Sequence, residues 1–248
     1  MTNATWEQFL TPRDREVIAA SGYAGRCGFG KRPALMIVDV SYNFCGDRPE
    51  PILDSIARWR NSCGEDAWEA IAVIRQLIDA CHAKGLPVFY STNTRRRDGF
   101  DAGGWRWKNT RELEDADKEI AGNEIVAEIA PAPQDVVILK TKPSAFFGTP
   151  LMSFLVDLKV DTLMVCGVST SGCVRATVID AFSNNLRVQL VGDACFDRLQ
   201  VSHAINLCDM DAKYADVIGS DAALGAIAGL PADLFALPGG GAAAPAAE

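Results

Sequence analysis

Histidine is scarce in this chain: His82 and His203 are the only two among 248 residues. A catalytic zinc or iron site built from several imidazoles is therefore hard to assemble. Excess basic charge is missing too. Lys and Arg number 24 against 32 Asp and Glu, and the net charge of -8 argues against nucleic acid and anionic membrane as partners. No run approaches the roughly 20 apolar residues that a membrane span needs. The opening MTNATWEQFL has no basic stretch leading into an apolar region, so we expect no export signal and a cytoplasmic location. No two cysteines sit two to four residues apart, which removes zinc-finger ligation, and neither metal nor cofactor is expected. The eight cysteines then read as reduced thiols. Cys27, Cys45, Cys63 and Cys81 recur every 18 residues, but their flanks share nothing, so the spacing is not a repeat.

What is present is a well-supplied core, with 48% of residues hydrophobic. Thr11 and Pro12 read as cap and first turn of a short helix ending near Gly22. Strands are expected at Ala34–Val40, Val88–Ser91, Val136–Lys140, Asp161–Gly167 and Arg187–Val191. Helices are expected over 66–84, with Ile71, Ile74, Ile78 and Cys81 on one face, and at Leu151–Leu158, Cys173–Asn184 and about 213–229. Residues 95–125 are polar and Trp-containing and read as a long excursion with one or two helical turns. This alternation implies a doubly wound parallel sheet flanked by helices, a three-layer α/β fold. Residues 1–30 form an extension, 31–232 one domain, and 233–248 a flexible tail.

The most informative stretch is Leu163–Ala176, LMVCGVSTSGCVRA. An apolar run stops at Gly167, a Ser/Thr/Gly turn follows, and Cys173 opens a helical pattern. A thiol delivered to a helix start sits where free backbone N–H groups favour a thiolate, which makes Cys173 a candidate nucleophile. Ligands of an open parallel sheet bind beyond the carboxyl ends of its strands. Two more polar residues stand at such ends: Asp39 after the first strand and Lys140 closing the third. An acid beside a thiol accepts its proton, and a neighbouring cation stabilises the charge.

These segments resemble the isochorismatase-like cysteine hydrolases, and within them the branch acting on N-carbamoylsarcosine. The likeness runs through GFGKRPALMIVDV (28–40), VFYSTN (88–93), VVILKTKPSAFFGTPL (136–151), VCGVSTSGCVRATVIDAF (165–182), DACFDR (193–198) and SHAINLCDMDAKYADV (202–217). It implies a catalytic triad of Asp39, Lys140 and Cys173, with Lys142 as a nearby decoy. It also implies a cis peptide between Val168 and Ser169, whose backbone joins the N–H of Cys173 in an oxyanion hole. Arg198 would contact the substrate's carboxylate or carbonyl, with an ion pair to Asp193 or Asp197 as the bland alternative. Thr170, Asn43 and Phe146 come from the matching segments as weaker pocket residues, and Trp105 and Trp107 of the excursion would wall the pocket. Relatives of this kind are homo-oligomers, so a tetramer or dimer is implied.

Two departures narrow the reading. Ser41 stands where many relatives carry Gln, and 41–68 holds no His for a nicotinamidase-type metal site. Isochorismatases proper, which cleave a vinyl ether, generally lack the cysteine, so its presence points to acyl transfer at a C–N bond. The expected activity is ammonia release from a small carbamoyl or ureido compound of the N-carbamoylsarcosine, biuret or triuret type. A maleamate-type or other small-carboxamide amidase is the alternative. A thiol redox sensor, with Cys166 resolving Cys173, is the alternative of a different class.

Overall fold

A computed structural model describes residues 5–108, 120–232 and 234–237. Strand β1 (Pro33–Val38) is buried along its whole length, as its unbroken apolar run requires of a strand covered on both faces. It is preceded by helix α1 (Pro12–Ser21), where Thr11 and Asp14 cap each other's backbone N–H groups. Asp161 accepts from the N–H groups of Lys31 and Arg32 at 2.7 and 2.9 Å, and Asp216 from those of Cys27 and Gly28 at 3.0 and 2.7 Å. These carboxylates stitch the incoming segment to the sheet.

After β1 come the short helices α2 (Tyr42–Cys45) and α3 (Ile52–Arg58), then the long α4 (Glu65–Ala83). Ala67, Ala70, Ile71, Ile74, Leu77, Ile78 and Cys81 form its buried stripe, at the spacing of one helical face. Burying each of the larger aliphatic side chains contributes about 1.5–3 kcal/mol. Strand β2 (Val88–Asn93) leads into the excursion, which contains a 3-10 turn at Phe100–Ala102 and helix α5 (Trp105–Lys108). The excursion returns through an antiparallel bridge between Ser41 and Ile125. Next are β3 (Val136–Lys140), α6 (Leu151–Asp157), β4 (Thr162–Val168), α7 (Arg175–Ser183) and β5 (Arg187–Phe196). The chain closes with α8 (Gln200–Lys213), β6 (Asp216–Ile218) and α9 (Ser220–Ala228).

All strands pair in parallel in the order β3-β2-β1-β4-β5-β6. The chain winds outward from β1 on one side and from β4 on the other. The crevice between those two strands, at their carboxyl ends, is the switch point where such sheets bind ligands. Gly167 is demanded there: its φ is +112°, and an added Cβ would come within 2.2 Å of the Val38 carbonyl oxygen.

Three expectations need correction. The span expected as one helix over 213–229 opens with strand β6 and becomes helical only in α9, and α8, which ends at Lys213, was not expected. The buried positions of α8, Ala204, Leu207 and Met210, make too narrow a stripe to stand out among its polar residues. The first strand ends at Val38 rather than Val40, because Asp39 turns into the left-handed region at φ +55°. The segment expected as a flexible tail begins with packed residues: Phe235 is buried, with the Arg32 guanidinium 4.2 Å over its ring. The stretch GGGAAAPAAE lies outside the described residues.

Candidate active site

β1, β3 and β4 deliver one functional residue each to the same crevice. Asp39 follows β1 and has no solvent exposure, and Lys140 closes β3 and is 1% exposed. Lys140 Nζ lies 2.7 Å from Asp39 Oδ2 and 3.6 Å from Cys173 Sγ. The ammonium also donates to the Lys142 carbonyl at 3.1 Å and stands 3.5 Å from Asn93 Oδ1. Asp39 Oδ1 accepts from Ser91 Oγ at 2.9 Å, while Oδ2 accepts no directional hydrogen bond beyond its ion pair. That oxygen faces the ammonium.

The start of a helix favours a thiolate at Cys173, and the surroundings of the sulfur act against it. Burial instead pushes its pKa up to about 12; the charge of Asp39 adds to the rise and the Lys140 ammonium only partly opposes it. Burial also raises Asp39, outweighing Lys140 and the hydrogen bonds from Cys173 and Ser91. Burial thus favours the thiol at Cys173, and a raised Asp39 is a stronger proton acceptor than an ordinary carboxylate.

Cys173 sits in a single π-type turn, Thr170–Val174, that precedes α7. The peptide bond between Val168 and Ser169 is cis, as the resemblance implied. Asp197 grips the turn, accepting from Ser171 N–H at 2.8 Å and from Ser171 Oγ at 2.7 Å. Thr170 Oγ1 bonds His203 Nδ1 at 2.8 Å and donates to the Phe196 carbonyl. Burial lowers the His203 pKa, disfavouring the imidazolium against the opposing charges of Asp197 and Asp66.

The remaining expected residues divide. Thr170 is fully buried, with its hydroxyl committed to the turn. Asn43 points at Gly122 and donates to Asn123 Oδ1 at 2.9 Å, so it clasps the returning excursion. Arg198 makes neither ion pair considered for it: its guanidinium donates to the Asn61 carbonyl at 2.9 Å. Phe146 is 9% exposed, on the loop that follows Lys140. Trp105 and Trp107 are 39% and 84% exposed. Their segment is moored near the site by Lys142 Nζ, which donates to the Asp101 carbonyl at 3.2 Å. Sequence reasoning missed Ser91 and Asn93, although both stand at the carboxyl end of β2, where the rule that found Asp39 and Lys140 applies. A cavity of about 570 Å³ lined by Trp6, Asp66, Asp197 and His203 is separate from the triad. Among the described residues, no three His, Cys, Asp or Glu side chains gather to hold a metal, and no helix is long and apolar enough to cross a membrane.

Residues 33–222 match the Isochorismatase domain family. The chain is 36% identical to an N-carbamoylsarcosine amidase of Arthrobacter sp. over 216 residues, spanning 85% of this chain and 76% of that one. It is 32% identical to a maleamate amidohydrolase of Pseudomonas putida, over 78% of this chain and 85% of the relative. The crystal structure of an isochorismatase family protein from Desulfovibrio vulgaris superposes with a TM-score of 0.66 at 31% identity, covering 80% of this chain and 100% of that one. That of an N-carbamoylsarcosine amidase from Thermoplasma acidophilum gives 0.60 at 27% identity, covering 77% and 97%. With its sheet order, matched span and these identities, the chain belongs to the isochorismatase family.

Proposed function

We propose that the chain is a cysteine amidohydrolase that cleaves a C–N bond of a small carbamoyl or ureido compound and releases ammonia. The observation that carries this is the contact of one buried ammonium with both a carboxylate, at 2.7 Å, and a thiol, at 3.6 Å. The similarity to proteins named amidases and amidohydrolases supports the reaction class.

Asp39 takes the proton of Cys173 as the sulfur attacks the carbamoyl or amide carbon, and Lys140 offsets the charge that develops. The backbone N–H groups of Ser169 and Cys173 receive the oxyanion. Asp39 passes the proton to the departing nitrogen, and ammonia leaves. Water, deprotonated by the same carboxylate, then attacks the thioester-like intermediate and frees Cys173. Arg198 is in the chemical class that recognises a substrate carboxylate, and the tryptophans of α5 wall the pocket.

N-Carbamoylsarcosine-, biuret- and triuret-type compounds are the preferred substrate class, and maleamate-type carboxamides are the second reading, favoured by the Pseudomonas relative. The thiol-sensor reading loses ground on electrostatics: a sensor needs a low-pKa thiol, and burial pushes Cys173 up to about 12. We also propose one catalytic domain over 31–232, a homo-oligomer and a cytoplasmic location. The test is ammonia release from a panel of carbamoyl, ureido and carboxamide compounds, with Cys173→Ala alongside. Release from at least one compound, abolished in the variant, supports the proposal. Release from none, with a reversible peroxide-induced disulfide at Cys173, establishes the sensor instead.

A further inference from the structure

The triad residues come from separate strands, so something must hold Cys173 in register with Lys140. One hydroxyl touches both sides. Thr177, on the first turn of α7 and fully buried, donates from Oγ1 to the Cys173 carbonyl at 2.7 Å. The same oxygen accepts the backbone N–H of Ala145 at 3.1 Å. Ala145 lies on the loop after Lys140, the loop whose Lys142 carbonyl accepts from the Lys140 ammonium. A hydroxyl that donates to one segment and accepts from the other links them through a single atom.

We propose that Thr177 is a positioning residue that sets the distance between the Cys173 sulfur and the Lys140 ammonium. This rests on the function proposed above and adds a residue to its machinery. A threonine on a helix commonly bonds back to the carbonyl four residues earlier, so the donated bond alone would mean little. Ser183, on the same helix, makes that bond to Ile179 at 2.7 Å, at the exposed surface and with no further partner among the described residues. The second bond, received from another segment in a fully buried setting, distinguishes Thr177. A buried hydroxyl also commits both groups it satisfies, because removing it leaves the Ala145 N–H without an acceptor.

The test compares Thr177→Val, Thr177→Ala and Thr177→Ser with the wild type and with Ser183→Ala. Two readouts are used: kcat and KM on a substrate that the wild type hydrolyses, and the rate of Cys173 alkylation by iodoacetamide, followed by mass spectrometry. The expected result is a kcat about 10- to 100-fold lower in Thr177→Val, as for a small misplacement of reacting groups, with KM changed less than about threefold. Alkylation should slow in parallel. Thr177→Ser, which keeps the hydroxyl, should recover to within about threefold of the wild type, and Ser183→Ala should match it. If Thr177→Val fails to fold, Ala against Ser carries the same comparison. Unchanged kcat and alkylation in both Val and Ala, or no recovery in Ser, overturns the proposal. A wild type that hydrolyses nothing refutes the proposed function, while the alkylation comparison still decides the role of Thr177.

Discussion

Lys140 Nζ stands 2.7 Å from Asp39 Oδ2, and neither side chain has any solvent exposure. An ion pair so buried is costly to break from one side, because the survivor is left charged in a medium that solvates it poorly. Lys140→Met should destabilise the protein by about 3–5 kcal/mol at pH 8. The loss should be smaller at pH 5, because burial already raises Asp39 and the lower pH favours its neutral form once the ammonium is gone. Urea denaturation at the two pH values measures this. Equal losses at both would mean that Asp39 keeps one protonation state across that range without its partner. The same variant should lower kcat by about 100-fold or more, since the charge developing on sulfur loses its counter-ion.

The raised Asp39 also fixes the sign of the activity profile. The carboxylate must be unprotonated to accept the thiol proton, and the folded site holds its own proton more tightly than a free carboxylate does. The acid limb of kcat/KM should therefore lie above the ordinary aspartate value of about 3.9. For stability the sign reverses. A carboxyl with a raised folded pKa favours folding most below its unfolded value, and that contribution fades as the pH climbs through the folded one. A pH–rate profile with its acid limb at or below the ordinary value would contradict the assignment of Asp39 as the base.

Much of this site was legible because strand ends are legible. Unbroken apolar runs mark β1, β3 and β4, and the first polar residue after a run falls at the crevice. Ser91 and Asn93 obey the same rule at the end of β2, a strand that was expected but whose end residues were not counted among the site candidates. The protonation state of Cys173 was not legible. Sequence shows the turn and the helix start, which favour a thiolate, but not the depth of burial, which dominates. The segment around α8 and β6 failed for another reason: a three-residue strand is too short to display a period, and α8 buries only a narrow stripe.

Asn43 ties the returning excursion to the loop after β1. Its amide donates to Asn123 Oδ1, and Asn123 also accepts Thr92 Oγ1 through its carbonyl. Asn43→Ala should cost about 1 kcal/mol, and Asn123→Ala a similar amount, with the double variant less than the sum. KM should respond alike in the two single variants. A rise in KM confined to Asn43→Ala would make it a substrate ligand after all.

Gly167 carries the closest approach in the crevice. Gly167→Ala would set a methyl group against the Val38 carbonyl at 2.2 Å, on a backbone with φ at +112°. Such a collision between adjacent strands, with backbone on both sides, should cost at least about 3 kcal/mol. A thermal melt reads it directly. A variant as stable as the wild type would mean that β1 and β4 separate more easily than their register implies.

All of the proposed chemistry converges on one sulfur becoming covalently attached to substrate. Acid quench in the pre-steady state, followed by peptide mass spectrometry, reads that bond. The expected result is a transient adduct on the Cys173 peptide, equal in mass to the substrate less ammonia, and absent from both Cys173→Ala and Asp39→Asn. Ammonia release that persists in Cys173→Ala, with no adduct at any time in the wild type, would contradict the account.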